Sequence, residues 1–253
     1  NIFQPTLGER ELKKIKEVFD SNWLGRGDVV HQFESKFAEN LNSEKDDFYA
    51  ITCCTEGIFL AADLFDFQPG DEVIVPTISF IAVGSAVVDS GAKLVLCDVD
   101  VHSLNATAET ISEKITDNTK AIILNHYGGH PCDMDDILDL AKKYDILVIE
   151  DSACAVNSFY KGKACGTMGD MGLWSFDAMK SIVTGDGGMI FLRSDELMLK
   201  AKEQTYLGLP VESKSGIDRS SKGSNIWWEV QIKRPGRRAI MNNVTAAMGV
   251  VQL

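Results

Sequence analysis

The stretch that decides the reading runs from Met171 to Met189, MGLWSFDAMKSIVTGDGGM. An apolar run, Gly172-Leu173-Trp174-Ser175-Phe176, delivers Lys180 into a loop. That loop closes with Thr184-Gly185-Asp186-Gly187-Gly188 ahead of a second apolar run, Met189-Ile190-Phe191-Leu192. Short apolar runs bounded by turn residues read as buried strands. The glycines between them let the backbone bend sharply or approach another group closely. A desolvated lysine is the residue proteins use to hold a carbonyl covalently, because burial favours the neutral amine. For an isolated lysine the commoner reading is a surface residue in a glycine-rich turn, so the rest of the chain has to decide.

Outward from that stretch the pattern alternates. Leu7 to Phe19 and Val30 to Leu41 carry apolar residues at helical spacing, with Gly25-Arg26-Gly27 between them. Strands are expected at Phe48–Thr52, Glu72–Val75, Lys93–Cys97, Lys120–Asn125, the very apolar Asp145–Glu150, 171–176 and 187–192. Helices are expected at Glu56–Phe67, Ile78–Asp89, Thr107–Lys114, Met134–Tyr144, Asp195–Tyr206 and Ala239–Leu253, with a polar loop over Leu209–Asn225. Such β-α-β alternation implies an α/β fold, a mainly parallel sheet covered on both faces by helices, three layers in all. Ligands of such sheets bind beyond the carboxyl ends of the strands.

Composition narrows the class. With 253 residues, 45% hydrophobic and 25% charged, the chain has material for one large α/β domain or a domain and a smaller piece. Its net charge of −12 argues against nucleic acid as a partner, although Arg234, Arg237 and Arg238 leave room for a local basic pocket. No apolar run approaches the ~20 residues of a membrane span, and the opening NIFQPTLGERELKK does not read as a signal peptide. The cysteines at 53, 54, 97, 132, 154 and 165 form no CxxC pair. Reduced thiols in a cytoplasm are therefore expected.

Residues just past strands carry the chemistry. Asp151 follows ILVIE directly, where a carboxylate serves as a ligand for a bound group or as an N-cap. Thr55 lies past the first strand at a helix start, where a hydroxyl and free N–H groups suit a phosphate; capping is the plain alternative. Ser175 precedes Lys180 by five residues and borders the same pocket, and Phe80 offers a flat face or simply core. A lysine for a carbonyl, a carboxylate for a ring nitrogen, a phosphate cradle and an aromatic lid are together what pyridoxal 5'-phosphate (PLP) requires. A nucleotide fold is disfavoured, since neither G-x-G-x-x-G nor a P-loop occurs. A metal site built from His126, His130, Asp133, Asp135 and Asp136 matches no standard ligand spacing.

The chain resembles the PLP-dependent nucleotide-sugar aminotransferases of the DegT/DnrJ type, which have fold type I. The resemblance rests on NWLGRGDVVHQFESKFA (22–38), CCTEGIFLAADLFDFQPGDEVIVPTISFIA (53–82), HYGGHPCDMDDI (126–137), IEDSACAV (149–156), the segment 160–190 around Lys180, and NNVTAAMGVVQL (242–253). It implies that residues 1–253 form a PLP-binding large domain with an N-terminal segment over 1–30, a smaller C-terminal domain lying beyond this sequence. It implies that Lys180 binds the cofactor and moves the proton, that Asp151 keeps the pyridine nitrogen protonated, and that Phe80 stacks on the ring. By the same resemblance Ser175 and Thr55 contact the phosphate, with Cys54 and Glu56 flanking Thr55 in the same turn. Four positions depart from the pattern: Cys53-Cys54 where Ser-Gly is usual, Cys154 in place of a glutamine or histidine near the ring oxygen, and Arg238 in place of an asparagine that reaches the neighbouring subunit's cofactor phosphate. The implied activity is transfer of an amino group, with glutamate as donor, to a keto-sugar nucleotide, in a cytoplasmic homodimer whose active site lies at the subunit interface. Sugar dehydration, amination of a cyclitol and a non-catalytic binding role are the alternatives.

Overall fold

The computed structural model describes residues 5–210 and 232–253. Most of the expected polar loop, from 211 to 225, lies outside them. The helices are α1 (Glu9–Asp20), α2 (Asp28–Asn40), α3 (Cys54–Leu64), α4 (Ile81–Asp89), α5 (Ala108–Ser112), α6 (Met134–Tyr144), α7 (Asp195–Gln204) and α8 (Asn243–Gln252). The strands are β1 (Phe48–Ile51), β2 (Glu72–Pro76), β3 (Lys93–Cys97), β4 (Thr119–Asn125), β5 (Leu147–Asp151), β6 (Phe159–Tyr160), β7 (Lys163–Ala164), β8 (Met171–Ser175) and β9 (Gly188–Leu192).

Seven strands form one sheet in the order β1-β9-β8-β5-β4-β2-β3, and β6–β7 is a separate small hairpin. The pairs from β3 through β8 are parallel, and β9 runs antiparallel to both β8 and β1. The carboxyl ends of β1, β2, β4, β5 and β8 therefore share one edge with the start of β9. Strand alternation sorts the core into two layers. Ile51, Val75, Ile123, Ile149, Leu173 and Ile190 pack with α3, α4 and α7. On the other face, Phe48, Trp174, Met189 and Phe191 meet α2 and α8, and Ile74, Ile122 and Val148 meet α5 and α6. The expected three-layer arrangement is the one observed.

Boundaries differ where main-chain bonds overrule periodicity. The helix expected from Ile78 starts at Ile81, because Thr77 N–H still bonds Cys97 O at 2.9 Å, prolonging the β2–β3 ladder. Phe80 is thus an extended N-cap rather than a helical residue. The helix expected from Ala239 begins at Asn243: residues 239–241 lie along β1, with Thr52 N–H to Ala239 O at 2.9 Å and Met241 N–H to Ala50 O at 3.4 Å. Asn242 then caps α8 by accepting from Val244 and Thr245 N–H. Asp145, expected in a strand, closes α6 in the left-handed region at φ +55°.

One buried network ties the strand ends together. Alternation along β5 turns Glu150 away from Asp151, and Glu150 is fully buried. Its carboxylate accepts from the N–H groups of Gly166 (2.7 Å), Met168 (2.7 Å) and Gly169 (2.5 Å) and from His126 Nε2 (3.0 Å). Removing one acceptor oxygen leaves a buried donor unsatisfied and sets an amide N–H against another. Glu150→Gln is expected to cost roughly 3 kcal/mol and to lower the melting temperature by roughly 6 °C or more, read by thermal denaturation.

Candidate active site

The site is built by three strand ends and one helix start. At the end of β1, Cys53 is the N-cap of α3, its Sγ accepting from Glu56 N–H at 3.4 Å. The first N–H groups of a helix have no intrahelical partner, so those of Cys54 and Thr55 face outward beside the positive end of the helix dipole. Thr55 is exposed and Cys54 buried. The start of β9 crosses directly beneath this turn: a Cβ on Gly188 would lie 2.7 Å from Cys53 C and from Cys54 N. Only glycine permits that approach, and it sets the turn against the loop that carries Lys180.

That loop is stitched at its base. Phe176 N–H donates to Gly187 O and Thr184 N–H to Phe176 O, both at 2.9 Å. Within it Lys180 N–H bonds Asp177 O at 2.9 Å, and Met179 N–H bonds Asp177 Oδ1 at 2.9 Å. Ser175, buried at the end of β8, accepts weakly from Asp177 N–H at 3.4 Å and keeps its own hydroxyl proton to donate. Below the loop, Phe37 meets Phe48, Trp174 and Phe176 edge-on, and Phe33 meets Phe176 the same way, an aromatic cluster that anchors β8. Lys180 itself is half-buried rather than enclosed, with Nζ 3.4 Å from Cys154 Sγ.

Asp151 ends β5, beside Leu173 of β8 and Asn125 of β4. It is 6% exposed, and among the described residues its carboxylate accepts one hydrogen bond, from Ala153 N–H at 3.0 Å. The capping alternative is thus also realised, but it occupies one oxygen. Burial pushes the Asp151 carboxyl above its usual range, while the Ala153 N–H and the charge of Lys180 pull the other way. The Cys54 thiol is pushed far upward by burial and by the Asp151 charge, with Lys180 opposing. Asp151, Lys180, Cys54 and Cys154 therefore form one neighbourhood. Phe80 stands at the end of β2, 64% exposed, on the same edge.

Two expected site residues are placed elsewhere in this chain. Glu56 turns its carboxylate to Arg237 Nε at 2.8 Å. Arg238 pairs through its backbone with Tyr206 and lays its guanidinium 5.4 Å from that ring. It lines a cavity of about 630 Å³ together with Trp23, Arg26 and Lys202, and none of Thr55, Asp151, Ser175 or Lys180 borders that cavity. The late arginines do not form a free basic pocket either, since Arg234 and Arg237 pair with Asp63. No metal-binding group of three ligands exists among the described residues, and His126 is taken by Glu150. That pair escaped the sequence reading, although an acidic residue inside so apolar a strand is its signal.

The DegT/DnrJ/EryC1/StrS aminotransferase family matches residues 5–253. The chain belongs to this family. Among its relatives, dTDP-4-dehydro-2,3,6-trideoxy-D-glucose 4-aminotransferase of Saccharopolyspora spinosa is 46% identical over 253 residues, which is 100% of this chain and 65% of the relative. The crystal structure of the aminotransferase TlmJ from Streptoalloteichus hindustanus superposes with a TM-score of 0.91 at 46% identity, covering 100% of this chain and 65% of that one. A Streptococcus pneumoniae protein assigned as a sugar aminotransferase, solved in a PLP form, gives 0.86 at 25% identity over 98% of this chain and 64% of its own. A PMP form of it is also solved. The chain thus spans just under two thirds of the length of the relatives it matches. None of its helices, among the described residues, is long and apolar enough to cross a membrane.

The buried Asp151 charge has a consequence for stability. A carboxyl whose folded pKa lies above its unfolded value binds its proton more readily in the folded state, so stability falls as pH rises through that interval. The penalty is fully present above the raised pKa and absent below the ordinary value of about 3.9. Asp151→Asn in the cofactor-free chain is expected to melt higher than the parent at pH 7, the gain vanishing toward pH 3.5; thermal melts across that range check it. A variant that melts lower at pH 7 would place the carboxylate in a stabilising bond instead.

Proposed function

We propose that this chain is the PLP-binding part of an aminotransferase that moves an amino group from glutamate to a keto-sugar nucleotide. The observation that carries the reading is the meeting of Asp151, Lys180 and the open first turn of α3 at the ends of β5, β8 and β1. The donor set fits PLP. A buried carboxylate with an oxygen left over by the protein suits a protonated ring nitrogen. The N–H groups of Cys54 and Thr55, with the Ser175 hydroxyl, suit a phosphate. Lys180 suits the aldehyde carbon, and exposed Phe80 a ring face. When bound, PLP supplies an electron sink for charge developing at the donor's Cα.

Each residue then has a task. Lys180 holds the cofactor between turnovers and carries a proton to and from the donor's Cα as its amine is released, a step that positioned side chains accelerate by about 10²–10⁴-fold. Asp151, kept ionised against its burial by the ring N–H, holds that ring in register. The Gly188 crossing keeps the phosphate turn and the lysine loop at a fixed separation. A nucleotide-linked keto sugar is the acceptor we favour, because the Saccharopolyspora relative is named for such a substrate. Arg238, which faces away from its own chain's cluster, supports a role toward the site of a second copy, and hence a homodimer. Retention of lysine at 180 disfavours the dehydratase alternative, and retention of both Lys180 and Asp151 disfavours a purely binding role.

Addition of PLP is expected to give a visible absorbance band and, after borohydride, a cofactor fixed to the peptide containing Lys180. Lys180→Ala should lose both, with turnover at least about 100-fold lower. Asp151→Asn should release PLP more readily on dialysis. Glutamate should bleach the visible band in a single turnover. A wild-type protein that stays colourless with PLP would overturn the proposal, and one that binds PLP but ignores glutamate would favour the non-catalytic reading.

A further inference from the structure

Of the six cysteines, Cys154 alone is exposed. Burial pushes the thiols of Cys97 to about 11 and Cys165 to about 12, and raises Cys54 and Cys132 further. Those thiols stay protonated and poorly nucleophilic. Cys154 differs in its neighbour as well: the Lys180 amine donates to its sulfur at 3.4 Å. Both partners stand on fixed supports. Ser152 N–H bonds Leu173 O at 2.8 Å, which ties the Cys154 turn to β8, and Ala155 N–H closes that turn on Ser152 O at 2.8 Å. Gly129 presses on the Cys154 carbonyl from the other side, a Cβ there lying 2.8 Å away. Lys180 is held by its stitched loop. An accessible thiol and a primary amine are thus kept in contact in the same pocket mouth.

We propose that Cys154 and Lys180 form a peroxide-operated switch, in which oxidation joins Sγ to Nζ as a sulfenamide and locks the lysine. The first step is attack of the Cys154 sulfur on a hydroperoxide. An S–O bond forms, the O–O bond breaks, the thiol is oxidised by two electrons, and the rest of the peroxide leaves as water from hydrogen peroxide or as the alcohol from an organic hydroperoxide. Sulfenic acids condense with nearby nitrogen nucleophiles. The Lys180 amine attacks the sulfenic sulfur, an S–N bond forms, the S–O bond breaks, and water leaves with no further electron transfer. A small thiol reverses the lock by attacking the sulfur, regenerating the amine and leaving a mixed disulfide that a second thiol reduces. The inference rests on the reading of Lys180 as the cofactor-holding lysine for one feature, protection: a lysine engaged by PLP is not available to sulfur, whereas the free amine is.

The test is hydrogen peroxide treatment of the full chain as cofactor-free protein, as PLP-loaded protein, and as PLP-loaded protein pretreated with glutamate, followed by peptide mass mapping. In the first and third samples the peptides holding residues 154 and 180 are expected to be joined and two hydrogens lighter than the separate peptides, and dithiothreitol should restore both. The PLP-loaded sample should show little of this product. Cys154→Ser and Lys180→Arg should yield no joined peptide. Oxidised Cys154 with Lys180 still free would overturn the switch, as would undiminished joining in a chain shown to carry PLP on Lys180. A chain that takes up PLP on Lys180 but never forms the joined peptide refutes this inference alone. Joining in a chain that takes up no PLP refutes the proposed function and leaves the thiol–amine chemistry standing.

Discussion

A carboxylate that never meets solvent organises the ligand edge. Glu150 draws three backbone N–H groups of the 166–169 turn and the imidazole of His126 onto two oxygens. His126 accepts at Nδ1 from Cys132 N–H at 3.1 Å, so its proton sits on Nε2 and points at Glu150. The carboxylate is thereby satisfied by N–H dipoles. Without those four donors, burying the charge would cost several kcal/mol; with them, it fixes three segments at once. His126 N–H in turn bonds the Asp151 carbonyl at 3.2 Å. Asp151 is thus held through its own backbone by His126, which Glu150 holds in turn.

Strand alternation makes that division of labour unavoidable. Neighbouring residues on β5 point to opposite faces, so one carboxylate braces the turn under the sheet while the next is left to bind. Beside it, β8 approaches the same turn so closely that a Cβ on Gly172 would lie 1.7 Å from Gly166 O. On the far side of β8, Gly188 lets the start of β9 lie against the α3 N-terminus. Two glycines thus set the spacing of β5, β8, β9 and β1, and with it the distance between the carboxylate, the lysine loop and the helix start. Side chains of any size at either position would move the cluster apart.

Much of this was readable from residues alone. The β-α-β order, the strand around Trp174, and the placing of Asp151, Ser175 and Lys180 at strand ends follow from periodicity and turn residues, because local burial dominates there. What periodicity could not show were the places where distant main chain intervenes. Residues 239–241 carry a helical pattern, yet β1 offers them ladder bonds. Phe80 reads as helix, yet the ladder between β2 and β3 outlasts its strands. Thr55 suggests a cap, yet Cys53, one residue ahead of α3, supplies it. The direction of a long side chain was equally hidden: Glu56 follows Thr55 in the same turn, but its carboxylate finds Arg237.

The Asp151 carboxylate shows why a site of this kind is costly before it binds anything. Its burial disfavours its charge, and the opposing influences are one backbone N–H and Lys180, the latter acting at a distance rather than by a direct bond. Proteins usually avoid this by pairing a buried carboxylate with arginine, which would also fill its lone pairs. Such a partner would neutralise Asp151 permanently and leave no oxygen open to a bound group. The arrangement here leaves one carboxylate oxygen without a protein partner among the described residues. The open oxygen and the burial penalty are then two expressions of one unpaired charge.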